Sequence, residues 1–246
     1  MTLAEKLQLI AENEQRVFDA GVEQGKQAEY DAFWHMILNN GKRTDFEYAF
    51  AYWGAEYIRP PMKIVPSNSR SIGMFKDNNS LKKVEAEYFD LSNCNVNDTS
   101  TTQGNYMTFA RCQYIEEIED IGMKAGYYYQ TYAWCYRLKT IAVVRSNENT
   151  LYTDAFRGCD DLENITFEGT IGNNISFASS SKLSLASVSN IVLHLADFSA
   201  TDTGASQGSY SHTLTLSLKA WNNIDSTEAD SLFSIVDSKK WNLSTV

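Results

Sequence analysis

The chain has 246 residues, 43% of them hydrophobic and 13% aromatic, which is ample material for a folded core. Its net charge of −10 and pI near 4.8 argue against DNA or RNA binding, which needs a basic stripe to displace counterions from phosphates. There is no apolar run of about 18 residues to span a membrane and no shorter apolar segment of the secretion-signal kind, so neither membrane insertion nor secretory export is expected.

Residues 1–41 read as an N-terminal helix. Thr2-Leu3-Ala4-Glu5 forms a capping box, in which Thr2 accepts from an early backbone N–H while Glu5 reaches back. Leu3, Leu7, Ile10, Val17 and Gly21 follow three-to-four spacing, and Phe18 widens the stripe. This narrow face fits two arrangements, a short coiled coil that assembles the chain or a single helix packed on its own body; Glu14 falls at a core position. Residues 42–71 are an aromatic and proline-containing capping segment: Phe46, Tyr48, Phe50, Tyr52, Trp53 and Tyr57 precede all three prolines of the chain. Their near-alternation predicts a strand, serving as a hydrophobic cover or as a platform for carbohydrate.

Residues 72–186 carry an internal repeat. An aromatic residue is followed three positions later by Cys, Asn or Ser and six positions later by Leu or Ile, at Phe75…Asn78…Leu81, Phe109…Cys112…Ile115, Tyr132…Cys135…Leu138, Phe156…Cys159…Leu162 and Phe177…Ser180…Leu183. A second aliphatic slot holds Val84, Ile118, Ile141 and Ile165. The anchors are 34, 23, 24 and 21 residues apart, and a period of about 23 belongs to leucine-rich repeats. Such a unit cannot bury its apolar side alone, so the expected fold is α+β: a solenoid of about five coils with parallel strands, an N-terminal helix and a C-terminal α/β cap. Lys82, Glu116, Lys139 and Glu163 should then alternate in charge from strand to strand, as a register ladder or a recognition face. Cys112, Cys135 and Cys159 share one slot and should form a buried column of thiols, whereas Cys94, in the first-interval insertion, should be accessible.

Insertions between repeats need not serve the core, so they are the binding candidates. These are the Ser/Thr/Asn-rich segment 93–105, represented by Asn97 and Thr101, and Tyr127, Tyr128 and Tyr129 with Trp134 nearby; the tyrosines could equally pack on the outer face. Residues 187–246 read as a helix-strand-helix cap. The elements are an apolar stripe through Leu185, Val188, Ile191, Val192 and Leu195, a strand through Leu214, Leu216 and Leu218, and a helix capped by Asp225 that carries Leu232, Phe233 and Val236. Trp241 and Leu243 return to the sheet.

The repeat units, best seen in Asp154-Ala155-Phe156-Arg157-Gly158-Cys159-Asp160-Asp161-Leu162-Glu163-Asn164-Ile165 and Phe109-Ala110-Arg111-Cys112, resemble the BspA-like leucine-rich repeats. The resemblance covers roughly residues 72 to 186 and departs at Asn78, Ser180 and Ala186. The whole arrangement is similar to proteins encoded near tail genes in phages of gut Firmicutes. That resemblance implies a non-enzymatic phage tail or baseplate protein, located in the virion and built as a homo-oligomer with a trimer favoured. It would contact a protein or surface-glycan ligand or other virion proteins. The alternative is a bacterial surface adhesin. No cofactor or metal is expected: the cysteines lack zinc spacing, and His35, His194 and His212 lie in separate segments. Neighbouring carboxylates such as Asp160-Asp161 read as solvated strand ends before any glycosidase pair.

Overall fold

The computed structural model describes Trp34 and residues 46–66, 70–94, 104–202, 204 and 206–246. The stripe residues Leu3, Leu7, Ile10, Val17 and Phe18 lie outside them. The fold is α+β with two parallel sheets. One has the order β1 (Lys83–Val84), β2 (Glu117–Ile118), β3 (Thr140–Ser146), β4 (Asn164–Gly169); the other has the order β5 (Ile175–Phe177), β6 (His212–Leu216), β7 (Trp241–Thr245). Helices α1 (Leu185–His194), α2 (Leu218–Asn222) and α3 (Ser226–Ser238) lie in the C-terminal part.

Equivalent slots of successive repeats meet in the first sheet. Val84 is opposite Ile118, Ile118 opposite Ile141 and Ile141 opposite Ile165, forming one buried column. One turn earlier, Glu116 N donates to Lys82 O, Lys139 N to Glu116 O and Glu163 N to Lys139 O. The charge alternation follows from this register and extends one unit further back, because Lys82 N donates to Glu56 O. Lys82 Nζ lies 2.9 Å from Glu56 and Lys139 Nζ 2.7 Å from Glu116, and the Lys139 hydrogen bond holds the Glu116 carboxyl below its usual range. Pairs this exposed fix register more than they stabilise.

The aromatic anchors form a second column. Phe50, Phe75, Phe109, Tyr132, Phe156 and Phe177 stack with successive centroid separations of 5.7, 5.2, 5.7, 5.5 and 4.6 Å. Each is essentially fully buried, so each contributes roughly 1.5–3 kcal/mol of apolar burial, with about 0.5–1.5 kcal/mol more per stacked pair. Around the first five of these rings the chain makes the same turn, whereas Phe177 ends a strand. The residues two before and two after the anchor have positive φ: Tyr48 and Tyr52, Gly73 and Asp77, Met107 and Arg111, Gln130 and Trp134, Asp154 and Gly158. Left-handed backbone is costly for residues with a Cβ, by about 1–2 kcal/mol each. It persists here because it aims alternate amides at the next repeat: Phe75 N donates to Thr108 O at 2.8 Å, Phe109 N to Thr131 O at 2.8 Å and Tyr132 N to Ala155 O at 3.0 Å.

Phe50 corrects the reading of residues 42–71. Residues 46–53 are not a strand but a further turn of the same kind, with Phe46, Phe50 and Trp53 buried while Tyr48 and Tyr52 point outward. Its amides bond forward to Ile72, Met74 and Lys76.

The Cys/Asn/Ser slot has a specific duty. The Cys112 thiol donates to Phe75 O at 3.0 Å, Cys135 to Phe109 O at 3.1 Å and Cys159 to Tyr132 O at 3.1 Å. Asn78 likewise donates to Phe50 O, and Ser180 donates to Cys159 O at 3.1 Å. The slot therefore wants a small side chain with a donor, which is what Cys, Asn and Ser share. Cys94 corrects the expectation of an accessible thiol: it is 2% exposed, and burial pushes its pKa up to about 11. Burial also pushes Cys112 up to about 12.

Parallel sheets leave open edges, and here side chains close them. Past β4, α1 takes the place of the next strand, its N-terminus capped by Ser184. Ser187 Oγ accepts from Ile165 N at 3.0 Å and donates to Glu163 O at 2.9 Å, and Asn190 Oδ1 accepts from Phe167 N at 2.7 Å. Past β7, the Gln207 side-chain amide imitates a peptide unit, donating to Trp241 O at 2.7 Å and accepting from Leu243 N at 3.2 Å. Leu214 and Leu216 are buried in β6 as the alternation predicts, but Leu218 is exposed and opens α2 instead. Asp225 caps α3 by accepting from Thr227 N at 2.9 Å. Leu232 and Val236 of α3 face the core, Phe233 does not, and Trp241 is buried in β7.

Two outcomes test this account. Cys135→Ala removes the donor to Phe109 O and should lower stability by about 1–2 kcal/mol in urea unfolding, with Cys135→Ser losing less. Gln207→Ala bares the Trp241 carbonyl and Leu243 N–H on a strand edge, and should make the protein self-associate with rising concentration on a sizing column.

Candidate functional site

Positions three before the anchors place partly exposed tyrosines side by side on the outer surface. Tyr106 and Tyr129 stack with centroids 4.9 Å apart and planes at 4°, and Tyr127 leans on Tyr129 at 5.7 Å. Toward the N-terminal side, Gly73 N donates to Tyr106 O at 2.9 Å. The exposed Tyr48 ring lies against Gly73, where a Cβ would collide with it. Glycine at this left-handed position thus serves two ends, the turn and the seat of the ring. Tyr106, Tyr129 and Tyr127 make one aromatic strip, with Tyr48 seated on Gly73 in the repeat before it.

The strip runs into a groove. Tyr127 pairs with Leu151 in a parallel bridge and its hydroxyl reaches Thr153 Oγ1 at 3.5 Å. Leu151 and Thr153 begin the wall of a groove of about 480 Å³ that continues along Asn173–Ser176 and the start of β6. Apart from Asp154, its lining is uncharged and hydrogen-bonding. Parallel pairing sets Ser176 beside Thr215 and Thr213 beside Asn242. Asn174 Oδ1 accepts from Thr213 N at 2.8 Å, and Asn173 Nδ2 donates to Glu148 O at 2.9 Å, so the amides are held in place from behind. His212 in this wall is stacked on Phe198 at 4.0 Å. Asp154 is the sole carboxylate lining the groove among the described residues. Among the described residues no three metal-ligating side chains cluster, and no helix is long and apolar enough to cross a membrane.

Of the sequence-predicted binding residues, Tyr127 and Tyr129 belong to the strip. Tyr128 does not: it is fully buried, its hydroxyl donating to Lys124 O and Arg145 O at 3.1 Å, and burial raises its pKa far above the phenolic range. Trp134 is partly exposed in the slot two after the anchor, with its ring flanked by Arg111 and Arg157. Asn97 and Thr101 lie outside the described residues. Sequence reasoning offered Tyr48 within the aromatic segment as a carbohydrate platform and missed Tyr106 and the groove. Tyr106 was within reach, since it precedes Phe109 by the same three residues that separate Tyr129 from Tyr132. The groove was not, because its walls come from segments that no repeat pattern relates.

Comparison with protein-family models, with curated proteins and with solved structures finds no match.

Neighbouring tyrosines should behave oppositely. Tyr128→Ala opens a core cavity and should cost about 3–5 kcal/mol, whereas Tyr129→Ala should move the unfolding midpoint by a small fraction of that, as expected for a surface ring.

Proposed function

We propose that this chain is a leucine-rich-repeat solenoid acting as a non-enzymatic binding protein, and that its ligand is a neutral glycan held along the tyrosine strip and in the groove beside it. The observation that carries the reading is the continuity of the two, through Tyr127, Thr153 and Leu151. Aromatic faces suit the apolar faces of sugar rings, while hydroxyls and amides fixed from behind suit their hydroxyl groups. The solenoid reading is supported by slot-on-slot parallel register at repeat spacing. A hydrolase is disfavoured because paired-carboxylate chemistry needs two acids across a cleft and, among the described residues, Asp154 is the one carboxylate lining the groove.

Following the resemblance of the repeats, we place this binding activity in a phage tail or baseplate component of the virion. There the N-terminal segment trimerises or attaches the chain, and the repeats meet the host surface. A bacterial adhesin of the same repeat family would use the same surface.

A panel of neutral oligosaccharides titrated by calorimetry tests the reading. At least one should bind, and Tyr106→Ala/Tyr129→Ala should weaken it by about tenfold or more at unchanged unfolding midpoint. Failure of the whole panel, or full binding by the double variant, would sink the glycan reading.

A further inference from the structure

The described arginines divide into two groups. Arg59 grips Glu85 at 2.7 and 3.1 Å, Arg70 lies 2.6 Å from Glu47, and Arg145 forms two bonds of 2.7 Å with Asp120. The guanidinium groups of Arg111, Arg137 and Arg157 make no hydrogen bond among the described residues and are laid on aromatic rings instead. Arg111 and Arg157 sit 5.4 and 5.6 Å from the centre of Trp134, and Arg137 sits 4.6 Å from that of Tyr114. The carboxylates nearest the first two are Asp77 at 3.9 Å and Asp154 at 3.8 Å, beyond hydrogen-bond range. Both side chains are more than half exposed.

Stacking on a ring holds a guanidinium flat and leaves its fork of N–H donors unspent. The repeat geometry sets this up. Arg111 and Trp134 occupy the same left-handed slot in adjacent repeats, and Arg157 comes from the next one. In that third repeat the slot itself is Gly158, where a Cβ would lie 3.3 Å from Trp134 Cδ1 and 3.4 Å from Tyr136 Cε1. Glycine there admits the indole and the exposed Tyr136 together. The face so made consists of Trp, Tyr and Arg, the three residue types that dominate protein–protein hot spots.

Charge narrows the partner. A chain of net charge −10 repels a dense polyanion at long range, so the local guanidiniums favour a partner with a few well-placed carboxylates that can be held bidentately. We propose that the Arg111–Trp134–Arg157 face, extended by Arg137 on Tyr114, is a docking site for a protein segment bearing at least two Asp or Glu side chains. It lies on other repeat slots than the tyrosine strip and does not depend on the glycan reading.

The test is a selection of random displayed peptides on the full chain, on Arg111→Gln/Arg157→Gln and on Arg111→Lys/Arg157→Lys, with an array of acidic oligosaccharides run alongside. Selected peptides should be rich in paired acids and should bind the Gln variant about tenfold more weakly or worse. The Lys variant should recover only part of the affinity, because lysine restores charge without the fork. Binding should also strengthen as salt is lowered. Circular dichroism on each variant confirms the fold, and Arg137→Gln, on a different ring, gives an independent second loss. Peptides without acidic enrichment, equal binding by the Gln variant, or capture of acidic oligosaccharides with no acidic peptides would each overturn the proposal.

Discussion

A parallel ladder with a strand spacing of about 4.8 Å obliges every side chain to lie against its own equivalent in the next repeat, and most of this molecule follows from that constraint. Rings at such spacing can pack flat only if offset, and the anchors from Phe50 to Phe177 do so, at 4.6 to 5.7 Å. Like charges at such spacing would repel, and Glu56, Lys82, Glu116, Lys139 and Glu163 alternate in sign. A thiol at such spacing reaches the carbonyl of the preceding anchor, so Cys112, Cys135 and Cys159 act as a line of donors rather than as disulfides. The left-handed turns beside the anchors from Phe50 to Phe156 are the cost of directing alternate amides into the neighbouring repeat.

The same constraint makes the ends of a ladder its weak points, since an unpaired edge is a template for another chain. Helix α1 and Gln207 solve this in related ways. Each presents side-chain amide or hydroxyl groups at the positions a further strand's backbone would occupy. A side chain can close an edge without offering a new one, which a further strand cannot do.

What the sequence disclosed tracks this division between repetition and termination. The slots through Leu81, Ile115, Leu138 and Leu162 and the aliphatic column from Val84 to Ile165 were legible because each residue type recurs at fixed offsets. The Phe50 unit was hidden because Trp53 replaces the small donor of its slot and its alternating aromatics imitate a strand. Left-handed backbone at Tyr48 and Tyr52, not extended pleating, sends those rings outward. Tyr128 misled for a similar reason: in a run of three tyrosines nothing local marks which ring turns inward, and its burial depends on carbonyls of Lys124 and Arg145 that only the fold brings near. Cys94 and Gln207 have no repeat partner at all: pattern was silent on Gln207, and for Cys94 its place in an insertion pointed to exposure where the fold buries it.

Repetition also explains why one architecture can carry two chemically unlike faces. Core slots are bound by their neighbours above and below, and altering one disturbs three repeats. Slots that flank the anchor on either side point outward and answer only to the ring or charge beside them. On one side, three residues before the anchor, they hold Tyr106 and Tyr129 and lead into a neutral polar groove. On the other, one to five residues after it, they hold Arg111, Trp134, Arg137 and Arg157. The two sets share a backbone ladder and, among the described residues, meet where Arg157 lies 3.8 Å from Asp154 of the groove, so Arg111, Trp134 and Arg137 can change without touching the groove, whereas Arg157 links the two surfaces.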